Sequence, residues 1–212
     1  MSIKDRIAGF LKRSFPEKIN TLRGILCQLK GILYHRRIFG KFGRGSKLFK
    51  PLLVSNPKFI YIGDDVSIRA GSRMEAIFSN AKRTPHLSIG NNVNIEQNVH
   101  LICHSRLSIG NDVSITGHCA VVDVTHPYFN VDDPVKIGDR ILDEDSFVEI
   151  GDGCFLGFGA LVMPNVRIGK YCIIGAYSVV TKDVPAYSVV AGSPARVLRH
   201  YDSATGQWHP HQ

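Results

Sequence analysis

From Ile150 onward an aliphatic residue recurs every sixth position: Ile150, Leu156, Val162, Ile168, Ile174 and Val180. Four of these six are followed by Gly, and the fifth position of each block is small or Val. A helix repeats near 3.6 residues and a strand near 2, so neither accounts for a period of six. A six-residue repeat predicts a parallel β-helix, in which three short strands make one coil and each coil buries its core only against its neighbours. The same frame is visible at Ile62-Gly63-Asp64-Asp65-Val66, at Ile89-Gly90-Asn91-Asn92-Val93 and at Ile95 and Leu101. It restarts at Ile109-Gly110 after a slip of two residues and continues through Ile115 and Val121. It blurs over 73–86 and is interrupted after His126, where Pro, Asn and paired acids up to about Ser146 predict a loop thrown out between coils.

The first forty residues carry a different pattern. Apolar residues at Ile3, Ile7, Phe10 and Leu11, then at Leu22, Ile25, Leu26, Leu29, Ile32 and Leu33, have amphipathic helical spacing. Ser14-Phe15-Pro16 divides this stretch into two helices. Gly40–Gly45 reads as a basic linker. The expected organisation is therefore a basic helical extension over 1–50, a β-helix over 58–200 with a protruding loop at about 127–146 and a C-terminal cap, and a poorly ordered tail over 201–212.

Charge sharpens that division. Residues 1–50 hold 13 Lys/Arg against Asp5 and Glu17, a balance of +11, whereas 51–212 hold 13 against 16 Asp/Glu, or −3. The basicity belongs to the extension. Two readings of it stay open: helices that cap the open end of the β-helix, or an amphipathic segment, roughly 1–45, lying on an anionic membrane surface. Nucleic acid is not an expected partner, because aromatic interleaving is thin and no nucleic-acid motif is present. There is no apolar run of eighteen residues and no signal-peptide pattern, so a cytoplasmic protein, peripheral to the inner membrane on the second reading, is expected. The five cysteines have no metal or redox spacing, and Cys119, Cys154 and Cys172 fall on the small inward fifth position, as buried thiols do.

The run Ile168-Gly169 to Ile174-Gly175-Ala176-Tyr177-Ser178, then Thr181-Lys182-Asp183-Val184-Pro185 and Gly192-Ser193-Pro194-Ala195-Arg196, resembles the hexapeptide-repeat acyltransferases. Galactoside/maltose-type and polysaccharide O-acetyltransferases are the nearest in kind. The resemblance covers about residues 60–200. It implies a left-handed parallel β-helix, against the usual right-handed crossover, a homotrimer, and acetyl-CoA bound as co-substrate between adjacent prisms. It implies that His126, in Thr125-His126-Pro127, is the catalytic base. Thr181, Lys182 and Arg196 match the CoA-binding positions, the two cations suiting phosphates, and Ala176 matches a position lining the pantetheine groove. Tyr177 and Phe158 stand where the family has small residues, so Phe158 is placed in the cofactor groove.

The chemistry agrees with these assignments. Acetyl transfer to a hydroxyl needs a base for the hydroxyl proton, donors for the oxyanion and two substrates held together. Histidine titrates near neutrality, which suits the first task. Asp123, three residues before His126, is a candidate to orient the imidazole, as is a backbone carbonyl. Glu96, His100 and His104 are candidates to line the acceptor pocket. The expected activity is O-acetylation of a sugar hydroxyl on a surface polysaccharide or its lipid-linked precursor, by direct transfer in a ternary complex. A small free sugar or amine acceptor is the alternative. The histidines also raise a γ-carbonic-anhydrase-like metal protein, but the His-x4-His pair this would require before the last coils is absent, and no metal is expected.

Overall fold

The computed structural model describes residues 9–78 and 83–211. Three sheets run the length of the molecule, two parallel ones of six strands and one of nine that is parallel until its last two strands. Successive strands visit the three sheets in turn, so the chain winds around a triangular prism, the left-handed parallel β-helix. Six complete coils span 41–55, 60–76, 86–103, 106–122, 147–162 and 166–180, and a partial seventh follows.

The six-residue period becomes three stacked columns inside the prism. On the first face Phe42, Ile62, Ile89, Ile109, Ile150 and Ile168 lie in register. On the second, Leu48, Ile68, Ile95, Ile115, Leu156, Ile174 and Val190 do so. Val54, Met74, Leu101, Val121, Val162 and Val180 make the third. Nearly all are sealed from solvent. Each fully buried aliphatic contributes about 1.5–3 kcal/mol of transfer free energy, so the stack is held by many similar increments.

The residues after each aliphatic close the coil. A Cβ on Gly63 would come within 2.4 Å of the Gly90 carbonyl oxygen, so only glycine fits between stacked coils. The next residue forms a ladder: Asn91 Oδ1 accepts from the Asp64 amide at 2.9 Å, Asn111 Oδ1 from the Asn91 amide at 2.9 Å, and Asp152 Oδ1 from the Asn111 amide at 2.6 Å. At two of the prism's edges the turn residue is left-handed, as at Asp65, Asn92, Asn98 and His118, a conformation Asn and Asp tolerate better than most side chains. The fifth-position cysteines lie buried at these corners.

Among the described residues, the breaks in the six-residue frame fall on the third edge, where the third face hands the chain back to the first. The two-residue slip before Ile109 is the extra turn at His104–Ser105 on that edge, and the 123–146 excursion leaves from it too.

The solenoid begins earlier than the sequence frame suggested. Lys41–Phe42, Lys47–Leu48 and Leu53–Ser55 form a full first coil ahead of the expected start at 58, its first two strands inside the segment expected to be extension and linker. Phe42, Leu48 and Val54 keep the six-residue spacing, while Lys41, Arg44 and Lys50 point outward and disguise it. Ser46 takes the small corner position, donating to the Gly63 carbonyl at 2.7 Å and accepting from the Val66 amide at 2.9 Å.

Before this coil, helix Phe15–Lys30 starts at a Ser14/Glu17 capping box with Pro16 in its first turn. The chain then passes through a π-turn, Gly31–His35, and a helical turn, Arg36–Ile38. Residues 31–42 close the end of the prism, with His35, Phe39 and Phe42 buried, whereas no residue of helix Phe15–Lys30 is buried. The apolar positions Ile3 and Ile7 lie outside the described residues. At the other end, the expected loose tail is an antiparallel extension: Ser188–Gly192, Ala195–Asp202 and Gln207–Pro210 pair in sequence, with Tyr201 opposite Trp208.

Candidate active site

His126 lies on the loop just after the strand Ala120–Val122 and is exposed. Its Nδ1 is 2.8 Å from the carbonyl oxygen of Arg140. A carbonyl only accepts, so Nδ1 carries the proton and Nε2 presents a lone pair. The ring is thus held in the tautomer a general base requires.

Arg140 organises the loop that supplies this carbonyl. Its side chain is only 10% exposed. The guanidinium donates to the Val135 carbonyl at 2.6 Å, to the Asn130 carbonyl at 2.9 Å and to the Asp133 carbonyl at 2.9 Å. One planar fork therefore gathers three turns of the excursion. The Leu142 amide donates to the Thr125 carbonyl at 3.0 Å, and Arg83 holds the far side through Asp143 at 2.7 Å and Asp145 at 2.8 Å. Against this framework lies a cleft of 260 Å³ lined by Pro127, Phe129, Arg140 and Leu142 among others.

Asp123 does not orient His126. It is fully buried, and its carboxylate accepts from the backbone amides of His104, Ser105 and Arg106, the last two at 2.8 Å. Three amides converging on one carboxylate make it the fastening of the third-edge turn. His104, in that turn, is 2% exposed, which removes it from any surface-lining role. His100 is half-buried on the outer side of the third face, in register with Arg73 and Ala120. Burial, then the charges of Arg73 and His118, hold its imidazole below the usual histidine range. Glu96 is half-buried and loosely paired with Arg69 at 3.8 Å.

The cofactor candidates are all exposed and occupy separate places. Phe158 and Ala176 sit on the edge between the second and third faces, in a ring column that sequence reasoning saw only in part. His118 and Phe158 have centroids 5.0 Å apart, and Phe158 and Tyr177 are 5.6 Å apart. Phe158 is 44% and Tyr177 69% exposed. Thr181 and Lys182 lie on the third edge, after the strand Val179–Val180. Arg196 lies in the terminal antiparallel strand, its guanidinium touching the Ala195 carbonyl at 2.9 Å. Neither Lys182 nor Arg196 has a carboxylate partner among the described residues. Among those residues no group of three His, Cys, Asp or Glu is placed to hold a metal ion. The Cys103 and Cys119 thiols are pushed up by burial, with the charge of Asp123 adding to the effect at Cys103, which suits inert packing.

Comparison with known proteins bears on the whole arrangement. The family described as bacterial transferase hexapeptide (six repeats) matches residues 147–182, the most regular coils. The chain is an acyltransferase by its likeness to the proteins that follow, with coils built on the hexapeptide repeat. WbbJ of Escherichia coli K12, named for lipopolysaccharide biosynthesis O-acetyl transfer, is 28% identical over 79% of this chain and 85% of its own length. The galactoside O-acetyltransferase of Lactococcus lactis is 29% identical over 59% of this chain and 58% of its own. Among solved structures, the Vibrio cholerae hexapeptide-repeat acetyltransferase VCA0836 complexed with acetyl-CoA covers 90% of the acyltransferase chain and 91% of its own, with a TM-score of 0.55 and 20% identity. AntD, an N-acyltransferase of Bacillus cereus in complex with dTDP and 3-hydroxybutyryl-CoA, has a TM-score of 0.64 at 17% identity, covering 80% of this chain and 87% of its own. At these identities the structures establish the fold.

Proposed function

We propose that this acyltransferase transfers acetyl from acetyl-CoA to a sugar hydroxyl of a surface polysaccharide or its lipid-linked precursor, with His126 as general base. The observation that carries the reading is the Nδ1 contact to the Arg140 carbonyl at 2.8 Å. With that nitrogen occupied, Nε2 takes the acceptor's hydroxyl proton as its oxygen attacks the thioester carbonyl. The new C–O bond forms, the C–S bond breaks, and the proton passes from the imidazolium to the departing thiolate. No acyl-enzyme is required.

Lys182 and Arg196 would meet the phosphates of CoA, and Thr181, Ala176 and the Phe158–Tyr177 column would line the rest of its groove. Within one prism Ala176 and the Phe158–Tyr177 column lie on a different edge from His126, whereas Thr181 and Lys182 share its edge two coils further along. A second copy that brings one edge against another's third edge would complete the site, which favours the homotrimer. Glu96 and His100 remain the acceptor-side candidates. Of the segment 1–45, helix Phe15–Lys30, none of whose residues is buried, would rest on an anionic membrane, where a lipid-linked acceptor is presented, while residues 31–42 close the prism. No helix among the described residues is long and apolar enough to cross a membrane.

The acceptor class is tested by following CoA release with lipid-linked saccharide, free sugars and amines in parallel. Turnover with the saccharide hydroxyl at least tenfold above the others is expected. A preference for an amine would replace the O-acetyl reading.

A further inference from the structure

The outer side of the first two coils and helix Phe15–Lys30 enclose a groove of 320 Å³. Arg13, Lys47 and Arg69 line it from both sides, together with Thr21, Gln28 and Gly24, and its lining includes no carboxylate. Among the described residues neither Arg13 nor Lys47 has a carboxylate within ion-pair distance, and Arg69 reaches Glu96 only at 3.8 Å. Arg13 is steadied by donating to Thr21 Oγ1 at 2.6 Å, and Arg69 lies over the Phe49 ring at 5.4 Å. Three cations lining one groove, two with no carboxylate in ion-pair distance and the third only loosely paired, leave room for an anion.

Gly24 points the same way. Glycine inside a helix costs about 1 kcal/mol relative to alanine, and a Cβ here would meet nothing within 4 Å. Packing therefore does not demand this glycine; what it leaves is room in the groove. On the same helix Leu22 is 51%, Leu26 63% and Leu29 48% exposed. An uncovered apolar face beside a cationic groove matches an anionic bilayer, with acyl chains for one and phosphate for the other.

We propose that this groove seats the phosphate of an anionic lipid and so fixes the helix on the membrane in one orientation. The idea deepens the membrane contact proposed above and rests on it. The test is co-sedimentation of the full chain with phosphatidylcholine vesicles, with and without phosphatidylglycerol, with inorganic diphosphate as soluble competitor. Native protein is expected to bind only the phosphatidylglycerol vesicles. Arg13→Gln, Lys47→Gln and Arg69→Gln should each weaken binding by about fivefold, and a triple variant at Lys12, Arg23 and Lys30, outside the groove, by less than the groove triple. Gly24→Gln, which fills the space without changing charge and favours the helix, should weaken binding at least tenfold while the circular dichroism is retained. If native protein ignores all vesicles, the membrane contact itself fails. If it binds but the groove and outside triples lose equally, or Gly24→Gln binds as native, the contact is diffuse and the groove is not a site. Diphosphate bound in the groove by a protein that ignores vesicles would make the ligand a soluble phosphate and overturn the lipid assignment.

Discussion

The coil stack and the 123–146 excursion obey different rules. In the stack each inward residue has equivalents above and below, any aliphatic of similar size serves, and stability is close to a sum over interfaces. In the excursion no residue has an equivalent, and a single guanidinium, that of Arg140, holds three carbonyls while its own carbonyl holds His126. Repetition gives a rigid scaffold. The proposed base, His126, lies where repetition stops, on the edge from which the excursion leaves.

That contrast can be broken from either side. The largest effect is expected in the stack: Leu156→Ala, between Ile115 and Ile174, should destabilise by about 2–5 kcal/mol in denaturant titration, while the remaining folded protein keeps its kcat. Arg140→Ala should do the reverse, lowering kcat by roughly 10²-fold with a nearly native melting temperature. Arg140→Lys should rescue little, since one ammonium cannot replace a planar fork. A melting temperature that falls with kcat would place Arg140 in the stack's energetics instead.

Asp123→Asn sharpens the boundary between the two. It disturbs a carboxylate that serves three amides, so a loss of about 1–3 kcal/mol with unchanged kcat per folded molecule is expected. A selective loss of kcat would return Asp123 to the catalytic group. The smallest effect concerns the prism's capped end. His35 is buried among Tyr34, Phe39 and Phe42, and neither ring nitrogen has a hydrogen-bond partner among the described residues. Burial, then Lys30, lowers its pKa in the folded state. The unfolded chain therefore binds the proton first, and stability should decline as pH falls through the ordinary histidine range, near about 6.5. His35→Leu should flatten that decline in melting curves recorded against pH.

How legible each region was follows from the same contrast. The columns from Ile62 to Val180, Met74 excepted, could be read because the six-residue period is a local property of the chain. The first coil was hidden because Lys41, Arg44 and Lys50 crowd the outward positions around Phe42, Leu48 and Val54. The terminal hairpin was hidden because its pairing, Tyr201 against Trp208, spans a turn at Asp202–Gly206 with no repeat to announce it. In the excursion, the His-Pro setting of His126 singled it out as a candidate, but Arg140, whose carbonyl meets its ring, and the amides that Asp123 binds were not legible. Both depend on contacts made only after the chain has folded, and no spacing encodes them.

The measurement that bears most directly on this account is single-turnover release of CoA from acetyl-CoA in the presence of the acceptor, for native protein and His126→Ala. A general base predicts a loss of about 10²–10⁴-fold in the chemical step, with acetyl-CoA affinity and melting temperature retained. A near-native rate in the variant would contradict it and move the chemistry away from the loop.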